Sequence, residues 1–470
     1  MSENKIQSVF GSIRNIHMIG IGGIGMSGIA DVLLRLGFHV SGSDETESSI
    51  TKHLRSLGAE ISLGHSRENI HGQDVVVYSS AIKHDNPEFR QAEKLGIKLI
   101  RRAEFLGMLL SVWPIRIGVA GTHGKTSTCS LIATALAACG SHPSMFIGGI
   151  IKDLKTNAVM DSKSYVIFEA DEYDRTFLAL PPTIAVITNV DADHLDIYAD
   201  IHDMKHAFLK YANSIPENGA VILCYDDPEA RSLLNSIDRP CVTYGEYPNA
   251  DFRIDEIKYG DSSCFSLYYN MEKIGDFSVP QVGKHHILNA AAALATVYLL
   301  HLNISDAAKG LQHHTGVERR SELRYKDEQV LFYDDYAHHP TEISATLDAL
   351  QTHYPDRRII AVFQPHLFSR TRDFAAGFSE ALQKADAVYL VDIYPAREAP
   401  IKGITSAMIG ELMKNSGYTP VHYINNMDDV PAELVPDLKN GDIVITLGAG
   451  DIWKLSDSLY KEYNVQRNKK

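Results

Sequence analysis

The chain has 470 residues, 44% of them hydrophobic and 22% charged, with a formal net charge of −14. That length exceeds one ordinary core and predicts about two to four globular domains, while the acidic balance excludes a general nucleic-acid or anionic-membrane binder. No run is long and apolar enough to predict a spanning helix. The opening MSENKIQSVFGSIRN lacks a signal-peptide core, and Cys129, Cys139, Cys224, Cys241 and Cys264 form no C-x-x-C pair, so free thiols in a reducing cytoplasm are expected.

The first stretch, IHMIGIGGIGMSGIA, holds Gly20-x-Gly22-x-x-Gly25 between an apolar run and a helix pattern. Strands are predicted near residues 14–20, 38–43 and 74–79, and helices near 24–36, 47–57, 87–95 and 102–111. This alternation implies a parallel sheet with covering helices. Glycines at this spacing let backbone approach a pyrophosphate at a helix N-terminus. They do not say whether it belongs to NAD, with acidic Asp44 on a ribose, or to a nucleotide sugar. Trp113-Pro114 should stop the preceding helix and bounds a first domain, residues 1–112.

A second block, residues 113–316, opens on IRIGVAGTHGKTSTCSLIATALAACG. The strict phosphate-loop pattern fails, because Val119 stands where its first glycine would be. The shorter G-x-x-G-K-T keeps the mechanics: a strand ends, glycines turn amides inward, and a helix begins near residue 124. Lys125 can reach the β- and γ-phosphates and Thr126 can offer its hydroxyl to Mg²⁺. With its site empty, Lys125 is expected to face solvent. Buried strands YVIFEA and TIAVITNV end in two acidic clusters: Glu169, Asp171, Glu172 and Asp174, then Asp191, Asp193, His194 and Asp196. Carboxylates at strand ends suit Mg²⁺ at a phosphoryl-transfer site. Residues 250–279 change to short alternating strands, an antiparallel addition, and HHILNAAAALATVYLL reads as a helix. An NAD enzyme has no need of this second phosphate site.

The third block, residues 317–470, has strands predicted near 330–335, 358–363, 386–392 and 442–447 alternating with helices. Their polar loops are FYDDYAHHPTE (Asp334, Asp335, Tyr336, His338, His339), FQPHLFSRTRD (Gln364, His366, Arg370, Arg372) and DIYPARE. Three strand ends carrying polar loops are what a site at one sheet edge requires. Adjacent Arg319 and Arg320 suit a triphosphate. The fold class is therefore α/β in three domains: Rossmann-like, P-loop ATPase-like with an antiparallel addition, and Rossmann-like again.

Taken in order, GIGGIGMSGIA, SGSD, VVYSSAI, GTHGKTS, EADEYDRTFL, TNVDADHLD, ILNAAAALA, GVERRSE, DDYAHHPTE and FQPH resemble the Mur ligases of peptidoglycan synthesis over nearly the whole chain. Within that family, GIGGIGMSG resembles the alanine-adding branch rather than the one that attaches a tripeptide to the same UDP-sugar. The resemblance implies that the first domain holds a UDP-sugar rather than NAD, with Gly22, Gly23, Ile24, Gly25, Met26 and Ser27 along the diphosphate and Ser43, Asp44, Ser79 and Ser80 near nucleotide and sugar. It implies ATP on Gly121, Thr122, His123, Gly124, Lys125, Thr126 and Ser127, with His285 and Asn289 at the adenine and Arg319 or Arg320 with Asp335 completing the site. It implies Mg²⁺ on Thr126, Glu169 and His194. Tyr336, His338 and Arg370 match positions for the amino acid and reacting carboxylate, and Lys125, His194, His338 and Arg370 are the implied catalytic set.

The implied activity is ADP-forming addition of L-alanine to the muramate carboxylate through an acyl phosphate, a cytoplasmic step serving cell-wall biogenesis, cell shape and division. The implied enzyme is a monomer or homodimer, with no nucleic-acid or membrane partner. Sister ligases carry a modified lysine where Phe208 stands here, so no carbamylated lysine is expected. His286 replaces a common asparagine and Leu367 a common arginine. A ligase attaching a murein tripeptide to the same UDP-sugar, an NAD-dependent oxidoreductase and a non-catalytic nucleotide-binding regulator are the rival readings.

Overall fold

The computed structural model describes residues 3–79, 81–152, 156–161, 164–193, 197–260, 262–327, 329–396 and 398–468. The first sheet is built from β1 (Asn15–Ile19), β2 (His39–Asp44), β3 (Glu60–Leu63), β4 (Val75–Tyr78) and β5 (Lys98–Arg101) in the order β3-β2-β1-β4-β5. All of its pairings are parallel. Central β1 and β4 are buried on both faces, as helix-covered parallel strands must be. The order reverses at β1, which opens a crevice at the ends of β1 and β4. Edge strands β3 and β5 went unpredicted because they are short and half-exposed, so they show no apolar run.

The second sheet comprises β6 (Ile115–Ala120), β7 (Ser144–Ile151), β8 (Thr156–Val159), β9 (Tyr165–Glu169), β10 (Ile184–Ile187), β11 (Ala220–Cys224), β12 (Cys241–Gly245), β13 (Phe252–Tyr259), β14 (Ser263–Tyr269) and β15 (Glu272–Val279). Its order is β15-β14-β13-β12-β11-β10-β6-β9-β7-β8. β6 lies between β10 and β9, parallel to both, so three strand ends meet at the phosphate loop. The connections after β13 and β14 are too short for a crossover, which makes β13–β15 the antiparallel meander expected of residues 250–279.

The third sheet, β16 (Glu322–Lys326), β17 (Leu331–Asp335), β18 (Ile359–Phe363), β19 (Ala387–Val391), β20 (Val421–Ile424) and β21 (Ile443–Leu447), runs β16-β17-β21-β18-β19-β20. Only β16 is antiparallel to its neighbour among the pairings of the described residues. Alternate residues feed two cores. Tyr333, Phe363 and Ile445 pack with Leu347 and Phe378, whereas Phe332, Val362 and Val444 pack with Leu455 and Leu459.

The chain divides into two compact units. One takes Met1–Asp255, Ser266–Phe277 and Leu288–His314; the other takes Glu256–Phe265, Ser278–Ile287 and Thr315–Lys470. Within the first unit one core runs from Ile16 and Met18 through Phe105 and Trp113 to Phe168 and Phe208. Trp113, at the position read as a boundary, is fully buried and meets Phe146 edge-on at 6.3 Å. Phe208 packs against Phe177 at 5.2 Å inside this core, so the place of the sister enzymes' lysine is apolar. Among the described residues no helix is long and apolar enough to cross a membrane.

Candidate active site

β6 delivers the chain to Gly121, and the helix Lys125–Ala138 starts four residues later. Gly121 has φ +139° and its missing Cβ would collide with the Thr188 hydroxyl; Gly124 has φ +81° and its missing Cβ would press on the Asn289 carboxamide at 3.0 Å. Side chains are therefore excluded at both turns of the loop. Two residues after β10 hold the loop in shape. Asn189 Oδ1 accepts from His123 N at 2.8 Å, while its Nδ2 (3.0 Å) and Thr188 Oγ1 (2.7 Å) both donate to the His123 carbonyl. Asp191 N donates to Thr122 Oγ1 at 2.9 Å, and Asp191 Oδ2 lies 3.0 Å from His123 Nε2. TNVDADHLD was read for its acids; its Thr188 and Asn189 brace were missed, and a Thr-Asn pair directly after a buried strand was the available signal.

Lys125 does not face solvent. Its ammonium donates to the carbonyls of Gly121 (2.7 Å) and Thr122 (3.2 Å) and to Glu172 Oε2 (2.8 Å). Glu172 is fully buried, and its own carbonyl accepts from buried Tyr198 Oη at 2.7 Å. Burial pulls the lysine pKa down, but Glu172, Asp171 and Glu169 outweigh it and hold the pKa above the ordinary lysine value. The solvent-facing expectation fails because EADEYD sends one carboxylate under the loop: Asp174 and Arg175 both take left-handed backbone, which bends the chain there.

Thr126 is buried in the first helical turn and Ser127 is half-buried after it. Glu169 ends β9 half-buried, with Oε1 accepting from Gly148 N at 2.8 Å. Thr126 and Glu169 offer hard oxygen donors of the kind Mg²⁺ takes. His194 lies outside the described residues. Asn289 is buried on the helix Lys284–Leu299; His285 stands one turn earlier, where burial lowers its pKa to about 4, so it is neutral at physiological pH.

In the first sheet the Gly20 and Ile21 amides donate to the Ser43 carbonyl at 2.8 and 3.0 Å, and Gly22 N donates to Asp44 Oδ2 at 2.9 Å. Gly23 caps the helix Ile24–Arg35 without a side-chain acceptor, and Gly25, Met26 and Ser27 form its first turn. Nothing is described of the Ile24 side chain. Ser43 is fully buried and its hydroxyl donates to Glu88 Oε2 at 2.5 Å, so its contribution here is internal. Glu88 also receives Asn69 Nδ2 at 2.5 Å and faces His17 and His65 at 3.5 Å. Burial pushes its carboxyl up, but His17, Ser43 and Asn69 together take it down to about 2. Ser79 is half-buried beyond β4, and Ser80 lies outside the described residues.

In the second unit the two arginines differ. Arg319 donates to Asp334 Oδ2 (3.1 Å) and to the carbonyls of Gly450 (3.1 Å) and Gly448 (2.5 Å), so it ties β17 to the loop after β21. Arg320 lies over the Tyr336 ring at 5.1 Å with Glu342 at 3.8 Å. Asp335 is buried and accepts from Ser321 N (2.7 Å), Ala337 N (2.8 Å) and Thr346 Oγ1 (3.2 Å). Burial raises its pKa against the pull of Arg320 and these amides. His338 Nδ1 lies 3.0 Å from the Tyr336 carbonyl, which assigns the neutral ring's proton to Nδ1. His366 meets the His338 ring at 6.0 Å and stacks on Tyr394 at 5.7 Å. Arg370 is buried in the first turn of Phe368–Leu382, which Leu367 enters at φ +68°.

Three family models match successive segments: the Mur ligase family catalytic domain over residues 15–113, the Mur ligase middle domain over 119–297, and the Mur ligase glutamate ligase domain over 319–450. A UDP-N-acetylmuramate–L-alanine ligase of Salinibacter ruber is 44% identical over 460 residues, covering 97% of each chain. One of Geobacter sulfurreducens is 43% identical, covering 98% of this chain and all of its own. Among solved structures, a UDP-N-acetylmuramate–alanine ligase from Thermotoga maritima superposes with a TM-score of 0.80 at 27% identity, covering 96% of this chain and 99% of that one. A murein peptide ligase from Psychrobacter arcticus shares the fold, with a TM-score of 0.66 at 23% identity. On these matches, each spanning more than nine-tenths of the chain or together tiling it, the protein belongs to the Mur ligase family.

Proposed function

We propose that this chain joins L-alanine to the carboxylate of UDP-N-acetylmuramate, with ATP converted to ADP and phosphate. The observation that carries the reading is near-full-length identity of 42–44% to relatives bearing that name, supported by a phosphate loop whose glycines, brace and lysine form one built unit. A muramate carboxylate oxygen attacks the γ-phosphorus and ADP leaves, giving an acyl phosphate. The alanine nitrogen then attacks the acyl carbon, the C–O bond to phosphate breaks, and the nitrogen gives up a proton.

No enzyme-bound covalent intermediate is needed, so the residues act by position and charge. The loop amides from Gly121 to Ser127 and the Lys125 ammonium hold the phosphates. Thr126, Glu169 and His194 would hold Mg²⁺, which when bound neutralises phosphate charge. His285 and Asn289 face the adenine, and the neutral His285 ring suits an uncharged base. Of the arginine pair, Arg320 takes the nucleotide, because Arg319 is committed to Gly448 and Gly450. Asp335 supports that loop through Ser321 and Ala337. Tyr336, His338 and Arg370 serve the amino acid and reacting carboxylate, with His338 Nε2 as the proton acceptor. Gly22 to Ser27, Asp44, Ser79 and Ser80 take the UDP-sugar, and Ser43 orders its rim. We assign residues 1–112 to the UDP-sugar, 113–316 to ATP and 317–470 to completing the ATP and amino-acid sites, and we place the enzyme in the cytoplasm.

The test is ADP release with each component omitted in turn. Release requiring ATP, UDP-N-acetylmuramate and L-alanine together is expected. Release with the tripeptide L-alanyl-γ-D-glutamyl-meso-diaminopimelate but not L-alanine would overturn the choice of amine. Release without any UDP-sugar would overturn the reading as a whole.

A further inference from the structure

A cleft of about 310 Å³ in the first unit runs from Gly25 and Gly28, on the helix after the first glycine loop, to Glu169 and Asp171 at the end of β9. Arg102 lines it from the first turn of the helix Arg102–Leu110. The glycine-loop motif did not include this residue, and the resemblance assigned it no role. Its guanidinium lies on the first turn of the glycine-loop helix: a Cβ at Gly25 would overlap Arg102 Nη1. The glycine therefore admits the guanidinium.

The environment of this guanidinium is unusual for the molecule. Among the described residues it has no hydrogen-bond or ion-pair partner, although it is half-buried. Other arginines of the same unit are engaged: Arg55 with Glu47, Arg116 with the Pro181 and Trp113 carbonyls, Arg175 with Asp203. Glu169 and Asp171 line the same cleft but neither pairs with it. A half-buried, unpaired guanidinium has lost water without gaining an acceptor, a cost that a bound anion would remove. The acceptor must also suit the helix. Gly23 gives no side-chain cap; the Met26 and Ser27 amides bond the Gly23 carbonyl, which leaves the Ile24 and Gly25 amides as the helix donors beside the guanidinium.

We propose that Arg102 clamps the diphosphate of the UDP-sugar, forming with the Ile24–Gly25 turn a two-sided anion site. The inference rests on the functional reading above and deepens its UDP-sugar site. The planar fork bonds two phosphate oxygens at once, while the helix amides take those opposite. Held there, the sugar extends along the cleft toward Glu169, which sends its carboxylate to the end where phosphoryl transfer takes place.

Equilibrium binding of UDP, UDP-N-acetylglucosamine and UDP-N-acetylmuramate to the full-length protein tests this, with Arg102→Met and Arg102→Lys beside the unaltered chain. Methionine keeps the apolar stem, so the thermal midpoint should hold. Arg102→Met should weaken all three ligands by a common factor of about 10 to 100, the size of one lost charge-assisted pair, and leave ATP binding unchanged. Arg102→Lys should recover part of the loss. Gly25→Ala supplies a second route, since its methyl pushes the guanidinium aside; it should weaken UDP in the unaltered chain and add little to Arg102→Met. Unchanged UDP binding in Arg102→Met overturns the proposal. A loss confined to UDP-N-acetylmuramate also overturns it, because the guanidinium would then read the carboxylate. Failure of the unaltered protein to bind any of the three overturns the functional reading, and the inference with it.

Discussion

Lys125→Ala should cost stability as well as turnover. In the folded chain the ammonium neutralises Glu172, which is fully buried, and the pair is 2.8 Å apart. Removing one member of a buried pair costs about 3–5 kcal/mol; the lysine keeps 15% of its side chain exposed, so water can enter the vacated space and about 2–4 kcal/mol is the better figure. In a unit of this size each kcal/mol moves the midpoint by about 2 °C, giving a fall of about 4–8 °C at neutral pH. The sign with pH follows from the buried acid that loses its lysine. Burial without the lysine raises its folded pKa above the ordinary value of about 4.5, so the penalty is absent below that value and grows as pH rises toward the raised one. In the unaltered chain Lys125 has a raised folded pKa, so its contribution is intact below 10.5 and is lost only as pH climbs beyond. Calorimetry at pH 5 and pH 8 should show the deficit of Lys125→Ala wider at pH 8, and Lys125→Ala/Glu172→Gln should recover at least half of it. Equal midpoints at pH 8, or a strictly additive double variant, would refute the argument. Turnover should fall at least about 100-fold in either background, as for one strong electrostatic donor.

Glu169→Gln keeps its size and an acceptor but loses a charge, so half-maximal activity should need more Mg²⁺; an unchanged titration would remove Glu169 from the metal site. Arg319→Met should lower the midpoint of the second unit, because the carbonyls of Gly448 and Gly450 lose their donor, whereas Arg320→Met should raise the KM for ATP with little change in midpoint; the reverse pattern would exchange their roles. Glu88 has a depressed folded pKa, about 2 against 4.5, so it contributes about 3 kcal/mol that is present above pH 4.5 and lost as pH falls toward 2. Urea unfolding of Glu88→Gln should therefore show a gap to the unaltered protein that narrows from pH 6 to pH 3, and a constant gap would deny the carboxylate its ionic role.

Strands buried on both faces were the legible part of the fold. β1, β9, β17, β18 and β21 each carry an apolar stretch and lie within two residues of the predicted strands, and β6 ends where the glycine loop predicts a strand end. β3, β5, β16 and β20 were not, since an edge strand with one wet face leaves only a few alternating residues to read. Helix starts were clear where chemistry marks them, as with Asn86-Pro87 before Pro87–Leu95, whose carboxamide accepts from Glu88 N at 2.9 Å. The phosphate loop was legible for a related reason: its glycines are demanded by local backbone geometry, which one short stretch of sequence contains.

What the sequence hides is how each acid spends its oxygens. Asp335, Asp191 and Glu172 all follow buried strands and look alike as candidate ligands. In the fold Asp335 is taken by the Ser321 and Ala337 amides, Asp191 by His123, and Glu172 by Lys125. Apart from Ala337, each partner lies far away in sequence or depends on a left-handed turn, as at Ser321, that composition does not announce. The same logic separates Arg319 from Arg320, identical neighbours in sequence. Arg319 has φ +60°, and its side chain bonds the carbonyls after β21, whereas Arg320 lies over Tyr336 beside Glu342. A charged residue already bonded to backbone carbonyls must give those bonds up before it can meet a phosphate, and the exchange gains little. A guanidinium without backbone bonds has less to give up: Arg320 has a 3.8 Å ion pair to Glu342 to exchange, and Arg102, which has no partner among the described residues, gives up water.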